Sequence, residues 1–289
     1  MRDLNYALKQ LCLRNRDGSF GTQAGRERLL ALIANQLEQM GFRHMSVHSL
    51  RPKHVEKLVQ RWLHEKLSAG TIKNRMCALR WWAQKIGKEN VLARNNNAYA
   101  IADRIYLTNV SKAKELETKQ LDRVREQRIR LSLRLQAAFG LRFEESIKII
   151  PAWADRSHLL ALKASWTKGG RAREVPIRTE EQRQLLEEAK ALAKGKSLVA
   201  PGYATYRAYR VHVRDHCARA GIHGFHGYRH GYAQARYLEL TGWACPARGG
   251  PGSRELTAEQ RAIDNDARLQ ISHELGHNRE QITAVYLGR

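Results

Sequence analysis

Residues 273–289 (HELGHNREQITAVYLGR) constrain the fold most, because they place a histidine and a tyrosine nine residues apart across a glycine. In one straight helix, nine residues at about 100° each would put His277 and Tyr286 on opposite faces. Gly276 is a typical C-terminal helix cap, and the residues from Asn278 onward have the capping-box spacing of a new helix. We therefore predict that one helix ends just before Gly276 and that a short helix carries Tyr286 back, so that both side chains can face one point. Taken alone, the tyrosine would be an ordinary residue of an amphipathic terminal helix.

The balance of charge limits the partners of the chain. Lys and Arg total 51 and Asp and Glu total 28, which gives a formal net charge of +23. A field of this strength favours a polyanionic partner, most often a nucleic acid, and an anionic membrane surface is the weaker alternative. Basic residues exceed acidic residues on both sides of residue 105, so both parts of the chain are predicted to contact the same partner.

Composition and cysteine spacing indicate a globular protein of a reducing compartment. Hydrophobic residues make up 43% of the sequence, enough to build hydrophobic cores. The four cysteines lie far apart without a CxxC pair, which disfavours a zinc knuckle or a disulfide framework. The N-terminus lacks the apolar segment of a signal peptide, and no apolar run approaches the roughly 18 residues of a membrane span. We therefore expect a cytoplasmic protein.

The first part of the chain has the apolar spacing of helices. Four are predicted, over residues 4–13, 23–40, 52–67 and 71–86. With Thr71 as the predicted N-cap, Lys73 and Arg75 would lie in the first turn of the fourth helix, where cations oppose the helix dipole. A bound phosphate would explain them, so we predict that both contact DNA; a solvated charged face is the alternative. We interpret residues 1–105 as a helical DNA-binding domain and residues 106–115 as a linker.

The remaining part, residues 116–289, combines helices with one β-hairpin. Apolar spacing predicts helices over residues 118–139, 180–194 and 203–220. Arg142 opens a further helix. An arginine at a helix start is unfavourable for the helix dipole unless an anion lies beside it. Glu145, one turn on, could hold the guanidinium of Arg142 in place. Within residues 158–178, HLLAL is a short apolar strand, AREVPI alternates, and TKGGRA between them contains a Gly-Gly turn, which predicts a hairpin with Lys168 beside its tip. Taken singly, the arginine and the lysine would be ordinary surface residues.

A basic face is predicted on the helix over residues 203–220. Arg207, Arg210 and Arg214 recur at helical spacing with tyrosines between them. This pattern is typical of a helix that lies in a groove of duplex DNA, and a solvated charged face is the alternative. We predict that Arg207 and Arg210 bind DNA.

Three histidines follow in the stretch HGFHGYRHGYAQARYL. The spacing of His226 and His230 is that of a zinc pair on a helix, but no nearby carboxylate or cysteine completes the set, and HExxH is absent. We therefore predict no metal site here. His226 and Arg229 lie three residues apart on one helical face, so that both can donate hydrogen bonds to one phosphate.

Taken in order, these residues resemble the tyrosine recombinase (phage-type integrase) family. The matching positions are Arg142-x-x-Glu145, Lys168 in TKGGRAREVPI, His226-x-x-Arg229-His230, Leu275-Gly276-His277 and Tyr286. All six catalytic residue types of that family have a match, strongly over residues 115–289, while the N-terminal helices resemble its core-binding domain more loosely. The resemblance implies a mainly α fold with a small β-hairpin or sheet (α+β), in which a helical core-binding domain precedes a catalytic domain.

The resemblance also implies how DNA would be cut without a metal or cofactor. Tyr286 would attack phosphorus and form a 3′-phosphotyrosine, which stores the bond energy for rejoining. Arg142 and Arg229 would hold the non-bridging oxygens, because guanidinium groups bond such oxygens in pairs and keep their charge. Lys168 would protonate the leaving 5′-oxygen.

The remaining polar residues would assist this step. His226 is the candidate to accept the tyrosine proton, and His277 would hydrogen-bond the phosphate. Glu145 would support the arginine or histidine network. The Gly/Pro-rich loop over residues 241–255 is longer than the family leads us to expect, and we interpret it as either a protein contact or an exposed insertion.

The function implied is site-specific recombination, typical of integration or excision of a mobile element. Its partners would be duplex DNA with specific recombination sites and accessory DNA-bending proteins. The protein would assemble as a homotetramer on that DNA. We expect it in a prokaryotic cytoplasm, associated with the nucleoid. Two alternatives remain open: DNA relaxation like that of a type IB topoisomerase, and a non-catalytic DNA-binding protein that has kept the fold.

Overall fold

The computed structural model describes residues 3–277 and 279–289, which form two compact units divided after Ile105. Each unit encloses hydrophobic core of its own. Within the described residues, no helix combines the length and the apolar character that crossing a bilayer requires.

The described part of the first unit is helical. It consists of α1 (Asp3–Arg14), α2 (Phe20–Gln39), α3 (Pro52–His64), α4 (Ala69–Lys85) and short 3-10 helices at Glu89–Val91 and Asn97–Tyr99. Its core contains the fully buried indoles of Trp62 and Trp82, and the Trp62 Nε1 donates to Gln36 Oε1 over 2.8 Å. The four predicted helices are confirmed. The N-cap of α4 is Ser68, whose Oγ accepts the Thr71 N–H at 3.2 Å, so the prediction of Thr71 as the cap is wrong.

The second unit combines nine helices in its described residues with a small sheet. The helices are α5 (Thr118–Asp122), α6 (Gln127–Phe139), α7 (Phe143–Lys148), α8 (Pro151–Ala154), α9 (Glu180–Ala193), α10 (Tyr206–Arg219), α11 (His226–Thr241), α12 (Ala258–Glu274) and α13 (Ala284–Leu287), with 3-10 helices at Ala164–Trp166, Pro246–Arg248 and Glu280–Ile282. Helix α11 contacts α6, α12 and α13. The mainly α fold with a small sheet is therefore confirmed.

The sheet has the strand order β1-β2-β3 and is antiparallel throughout. Its strands are β1 (Asp155–Arg156), β2 (Leu159–Leu162) and β3 (Arg173–Pro176). In the register of β2 and β3, Leu160 pairs with Val175 and Leu162 with Arg173. The predicted hairpin is confirmed, and β1 was missed because two residues are too short for an alternating pattern.

The predicted helix over residues 118–139 is wrong, since the chain leaves the helix between α5 and α6. Tertiary contacts hold this break. Val124 is completely buried, and the Glu126 carboxylate accepts a hydrogen bond from Tyr209 Oη at 2.6 Å and lies 2.7 Å from His212 Nε2. These partners on α10 are far away in sequence, so local helical spacing could not reveal the break.

The C-terminal turn follows the prediction. Helix α12 ends at Glu274, Gly276 has a left-handed φ of +69°, and α13 then carries Tyr286. A Cβ at Gly276 would lie 2.9 Å from Arg173 Cδ, so the turn requires glycine for both conformation and space. The predicted capping role of Asn278 lies outside the described residues.

The loop over residues 241–255 is not an exposed insertion along its whole length. Cys245 and Pro246 are buried, and Arg248 Nε donates to Gln234 Oε1 on α11 over 3.0 Å. A Cβ at Gly288 would lie 2.8 Å from the Ala247 nitrogen, which shows how closely this loop approaches the end of α13. The loop therefore supports the segment that follows Tyr286.

Candidate active site

The Tyr286 phenol is surrounded by cationic and imidazole groups of the second unit. Its ring centroid lies 4.7 Å from that of His230, 5.7 Å from that of His226 and 6.2 Å from that of His277. Arg229 Nε donates to its hydroxyl over 3.3 Å. The residue is 5% exposed. The turn before α13 thus brings the histidine and the tyrosine of the C-terminal stretch together.

Arg229 is completely buried beside that hydroxyl. Its Nη1 donates to the Gly140 carbonyl over 2.6 Å, and its Nη2 donates to the Leu275 carbonyl. Burial lowers the pKa of Arg229 to about 10, so the guanidinium still carries its charge at neutral pH. Because a guanidinium has five N–H donors and three have acceptors among the described residues, two remain for a phosphate.

The Leu275 carbonyl links the two arginines predicted to bind phosphate. Arg142 Nη2 also donates to this oxygen, over 3.4 Å. The last carbonyls of a helix lack partners within the helix, and α12 ends just before this residue. The end of α12 therefore supplies the acceptor that positions both guanidinium groups.

Glu145 is buried between two arginines. Its carboxylate accepts the Arg142 N–H at 2.7 Å and Arg142 Nη1 at 2.8 Å. Arg173 donates to both carboxylate oxygens, through Nη1 at 2.8 Å and Nη2 at 2.6 Å. Burial alone would raise the pKa of Glu145, but the hydrogen bonds and charge of Arg173, followed by those of Arg142, lower it to about 2. The carboxylate is thus charged and holds Arg142 in place.

Arg173 is a site residue that the sequence analysis missed. It lies on the buried side of β3, two residues before the buried Val175. An arginine at an inward position of a strand needs a buried acceptor, because burying an unpaired charge is costly. That signal was present in the sequence, but its partner was not identifiable from local spacing.

The ion pairs of Glu145 should make stability depend on pH. Since folding lowers its pKa from 4.5 to about 2, the stabilisation is complete above pH 4.5 and is lost as the pH falls toward 2. The shift corresponds to about 3 kcal/mol of unfolding free energy. Glu145→Gln also leaves Arg173 buried without its counter-charge, so we expect a loss of about 3–5 kcal/mol at pH 7.

Urea unfolding of wild type and Glu145→Gln at pH 7 and pH 3 measures this effect. The difference between them should be smaller at pH 3. Glu188→Gln is the matched control, because its pair with Arg134 is exposed and should contribute less than about 1 kcal/mol. An equal loss for Glu145→Gln at both pH values would contradict this account.

An open cleft of about 880 Å³ lies next to this arrangement. Arg142, Lys168, Arg210, Arg214 and His226 are among the residues that line it, whereas Tyr286 and Arg229 are not. The cleft is therefore lined by four cationic side chains together with the carboxylates of Glu144, Glu145 and Asp215, and the phenol lies outside this lining.

Lys168 is exposed in the connection between β2 and β3. The Thr167 Oγ1 beside it accepts the Arg171 N–H at 3.0 Å and closes a tight turn over the Gly-Gly pair. The turn presents the ammonium group to the cleft, as the hairpin prediction required.

The three imidazoles around Tyr286 have lowered pKa values. Burial, followed by the charges of neighbouring groups, lowers the pKa of His230 and of His277 to about 4. The pKa of His226 is lowered by partial shielding from water and by the charges of Arg229, Arg142 and Lys168. These lowered pKa values favour the neutral form of all three rings. His230 was missed as a site residue, although it lies one helical turn after His226.

The predicted DNA-binding residues have different surroundings. Arg207 and Arg210 are exposed on α10, and only Arg210 is among the residues that line the cleft. In the first unit, Lys73 Nζ pairs with Asp103 at 2.6 Å. Arg75 lies 5.3 Å from the centre of the Trp62 ring, and its Nε and Nη1 have no hydrogen-bond partner in the described part of the chain.

Hydrogen bonds between side chains and main-chain atoms hold the C-terminal residues against the second unit. Gln234 Nε2 donates to the Tyr286 carbonyl and Arg268 Nη1 to the Gly288 carbonyl, each over 2.9 Å. Asn109 donates to the Arg289 carbonyl over 2.8 Å and accepts the Arg289 N–H at 2.9 Å. Tyr286 is thus fixed by contacts on both sides.

Two family models match adjacent parts of the sequence. Residues 1–92 match the family described as "Phage integrase, N-terminal", and residues 93–235 match the family described as "Integrase". No curated protein matches the sequence.

Solved structures share the fold at low sequence identity. A lambda integrase dimer bound to a COC′ core site matches with a TM-score of 0.62 and 13% identity, over 99% of this chain and 96% of that chain. The Tn1549 transposon integrase in complex with transposon right end DNA matches with a TM-score of 0.58 and 15% identity, over 100% and 95%. The XerH site-specific recombinase bound to palindromic difH substrate matches with a TM-score of 0.58 and 17% identity, over 98% and 80%.

Proposed function

The chain belongs to the tyrosine recombinase (phage-type integrase) family, and from this premise we propose that it is a site-specific DNA recombinase. It cuts and rejoins duplex DNA through a 3′-phosphotyrosine intermediate. The observation that carries the proposal is the phenol of Tyr286 within hydrogen-bond reach of Arg229 and among three imidazoles.

In the proposed cleavage step, the Tyr286 oxygen forms a bond to phosphorus while the bond from phosphorus to the 5′-oxygen breaks. His226 or His230 accepts the phenolic proton, because both rings lie beside that of Tyr286. Lys168 donates a proton to the leaving 5′-oxygen, which becomes a free hydroxyl. Rejoining reverses these transfers, so the reaction consumes no nucleotide cofactor.

The two arginines stabilise the charge that develops on the phosphoryl oxygens. Arg142 faces the cleft and Arg229 has two N–H groups left for this purpose, with the Leu275 carbonyl positioning both. Fixed donors of this kind stabilise a transition state without reorganising during the step. His277 supplies a further hydrogen bond to the phosphate. Since Tyr286 is only 5% exposed, the phosphate reaches it after the α13 segment or the cleft wall has shifted.

The structural neighbours include a lambda integrase dimer on a core site and a lambda integrase tetramer on a Holliday junction. We infer that this protein likewise acts on duplex DNA with specific recombination sites and assembles as a tetramer there, with accessory DNA-bending proteins as further partners. The first unit contributes Lys73 and Arg75 to the DNA contact, and α10 contributes Arg207 and Arg210. Integration or excision of a mobile element in a prokaryotic cytoplasm, on nucleoid DNA, is the proposed setting.

A duplex that carries the recombination site and a nick near the cleavage position tests the proposal. The short fragment between the cleavage position and the nick, which carries the new 5′-hydroxyl, diffuses away after attack, so a covalent protein–DNA band should accumulate on a denaturing gel. Joining of two different duplexes is expected of a recombinase, whereas relaxation of supercoiled DNA without joining would indicate a topoisomerase. Binding to the site without any covalent band would indicate a non-catalytic DNA-binding protein. The comparisons favour neither alternative.

Arg210→Gln should weaken DNA binding and reduce its dependence on salt. Each lost phosphate contact lowers the slope of log affinity against log salt concentration by about 1. Arg219→Gln is the matched control, because it lies nine residues further along α10, on the opposite face of the helix. Fluorescence anisotropy at several salt concentrations measures both slopes. An unchanged slope for Arg210→Gln would remove this face of α10 from the interface.

A further inference from the structure

A group of three metal-binding side chains lies apart from the candidate active site. Glu126, His212 and His216 each offer one ligand atom, and these atoms lie within 4.8 Å of one another. All three residues are partly exposed. We propose that they bind one divalent transition-metal ion of the zinc class, which connects α10 to the start of α6.

The donor set determines the class of ion. Two imidazole nitrogens and one carboxylate oxygen are a common protein ligand set for Zn²⁺, with water in the open fourth position. Calcium and magnesium are disfavoured, because they require several oxygen ligands and this group offers a single carboxylate. Cys217 is not a ligand, because it is completely buried and does not belong to the group of converging ligand atoms.

The distances require little movement. Zinc bonds to nitrogen and oxygen are about 2.0–2.2 Å, so two ligands of one ion lie at most about 4.4 Å apart. His212 and His216 are four residues apart on α10, and their ring centroids are separated by 5.7 Å. Small side-chain rotations would therefore bring both rings and the carboxylate onto one ion.

Neighbouring tyrosines position two of the ligands in advance. Tyr209 Oη donates to Glu126 Oε1 over 2.6 Å, which directs the second carboxylate oxygen toward His212 Nε2 at 2.7 Å. The His212 ring packs against those of Tyr203 and Tyr209, at centroid distances of 5.3 and 6.0 Å. Such outer contacts orient ligands and increase metal affinity. A simple ion pair between Glu126 and His212 would not require a third donor beside it.

The site lies on the helix that borders the cleft. An ion there would connect α10 to the non-helical segment between α5 and α6. Helix α10 also carries Arg210 and Arg214, which line the cleft. Metal binding is thus expected to stabilise the second unit and to hold these arginines in place. The ion takes no part in phosphodiester cleavage.

Isothermal titration of the chelator-treated full chain with ZnCl₂ tests the proposal. We expect wild type to bind one more ion than His216→Gln, and His158→Gln, an exposed histidine elsewhere, to bind as wild type does. His216→Gln is the informative variant, because the imidazole makes no hydrogen bond with another described residue. Its loss should therefore leave the fold intact. Loss of a residue that only hydrogen-bonds to a metal ligand lowers metal affinity by roughly tenfold to hundredfold. Because His216 is itself a proposed ligand, His216→Gln should lower the zinc affinity of this site by more than that.

Two readouts make the result decisive. Zinc should raise the unfolding temperature of wild type and of His158→Gln but not of His216→Gln, since a ligand of the native state stabilises it. Equal binding by wild type and His216→Gln would overturn the proposal. So would zinc binding that is lost in His226→Gln and kept in His216→Gln, because the ion would then lie among the imidazoles around Tyr286.

Discussion

Tyr286→Phe is expected to abolish the covalent protein–DNA complex while leaving affinity for the recombination site nearly unchanged. The substitution removes the only atom proposed to bond to phosphorus but keeps the ring that fills the space among His226, His230 and His277. Loss of a nucleophile lowers an enzyme's rate by on the order of 10⁴- to 10⁶-fold, which is below detection in this assay. A denaturing gel with the nicked duplex measures cleavage, and a mobility-shift gel with the intact duplex measures binding.

The fold should tolerate this change. Among the described residues, the hydroxyl accepts one hydrogen bond, from Arg229 Nε at 3.3 Å, so its loss should cost about 0.5–1.5 kcal/mol. Tyr232→Phe is a matched control: this buried tyrosine also lies in the second unit and donates to Glu274 over 2.7 Å. Because its acceptor is a buried carboxylate, this variant should lose at least as much stability as Tyr286→Phe and still form the covalent complex. A covalent band that persists in Tyr286→Phe would show that another side chain is the nucleophile.

Local features of the sequence accounted for the turn before Tyr286. Gly276 is a typical C-terminal helix cap, and the structure places it in the left-handed region where glycine has no steric penalty. The same holds for Arg142 and Glu145, whose spacing of three residues places the carboxylate against the N–H at the start of α7. Such contacts lie within one helical turn and are therefore visible in a sequence.

Contacts between distant parts of the chain were not predictable in this way. Arg173 pairs with a carboxylate 28 residues away, and Glu126 is held by residues of α10 more than 80 residues away. His230 was named as a possible metal ligand and as part of the family motif but was given no role in the site, because the sequence does not reveal that Tyr286 packs beside it. The loop over residues 241–255 likewise has no local pattern that indicates its contact with the end of α13. In each case, packing between distant parts of the chain determines where the side chain or loop lies.

Arg229→Lys is expected to lower the cleavage rate by at least about 10²- to 10³-fold, the loss typical of removing a donor that stabilises a transition state. The guanidinium reaches the Gly140 carbonyl, the Leu275 carbonyl and the Tyr286 hydroxyl at once. A single ammonium group on a lysine stem cannot reproduce this planar fork. The lost contacts should leave buried carbonyls unpaired, at about 1–3 kcal/mol each.

The loss of rate and the loss of stability can be separated with Arg236→Lys. Arg236 is also buried on α11, but it pairs with Glu274 and Glu239, and a lysine can retain part of an ion pair with carboxylates. Single-turnover cleavage of the nicked duplex and urea unfolding should therefore show impaired stability in both variants and impaired cleavage in Arg229→Lys alone. Wild-type cleavage by a folded Arg229→Lys protein would mean that Arg229 supports only the packing of Tyr286. A normal KM for DNA with a reduced rate would place its contribution in the transition state.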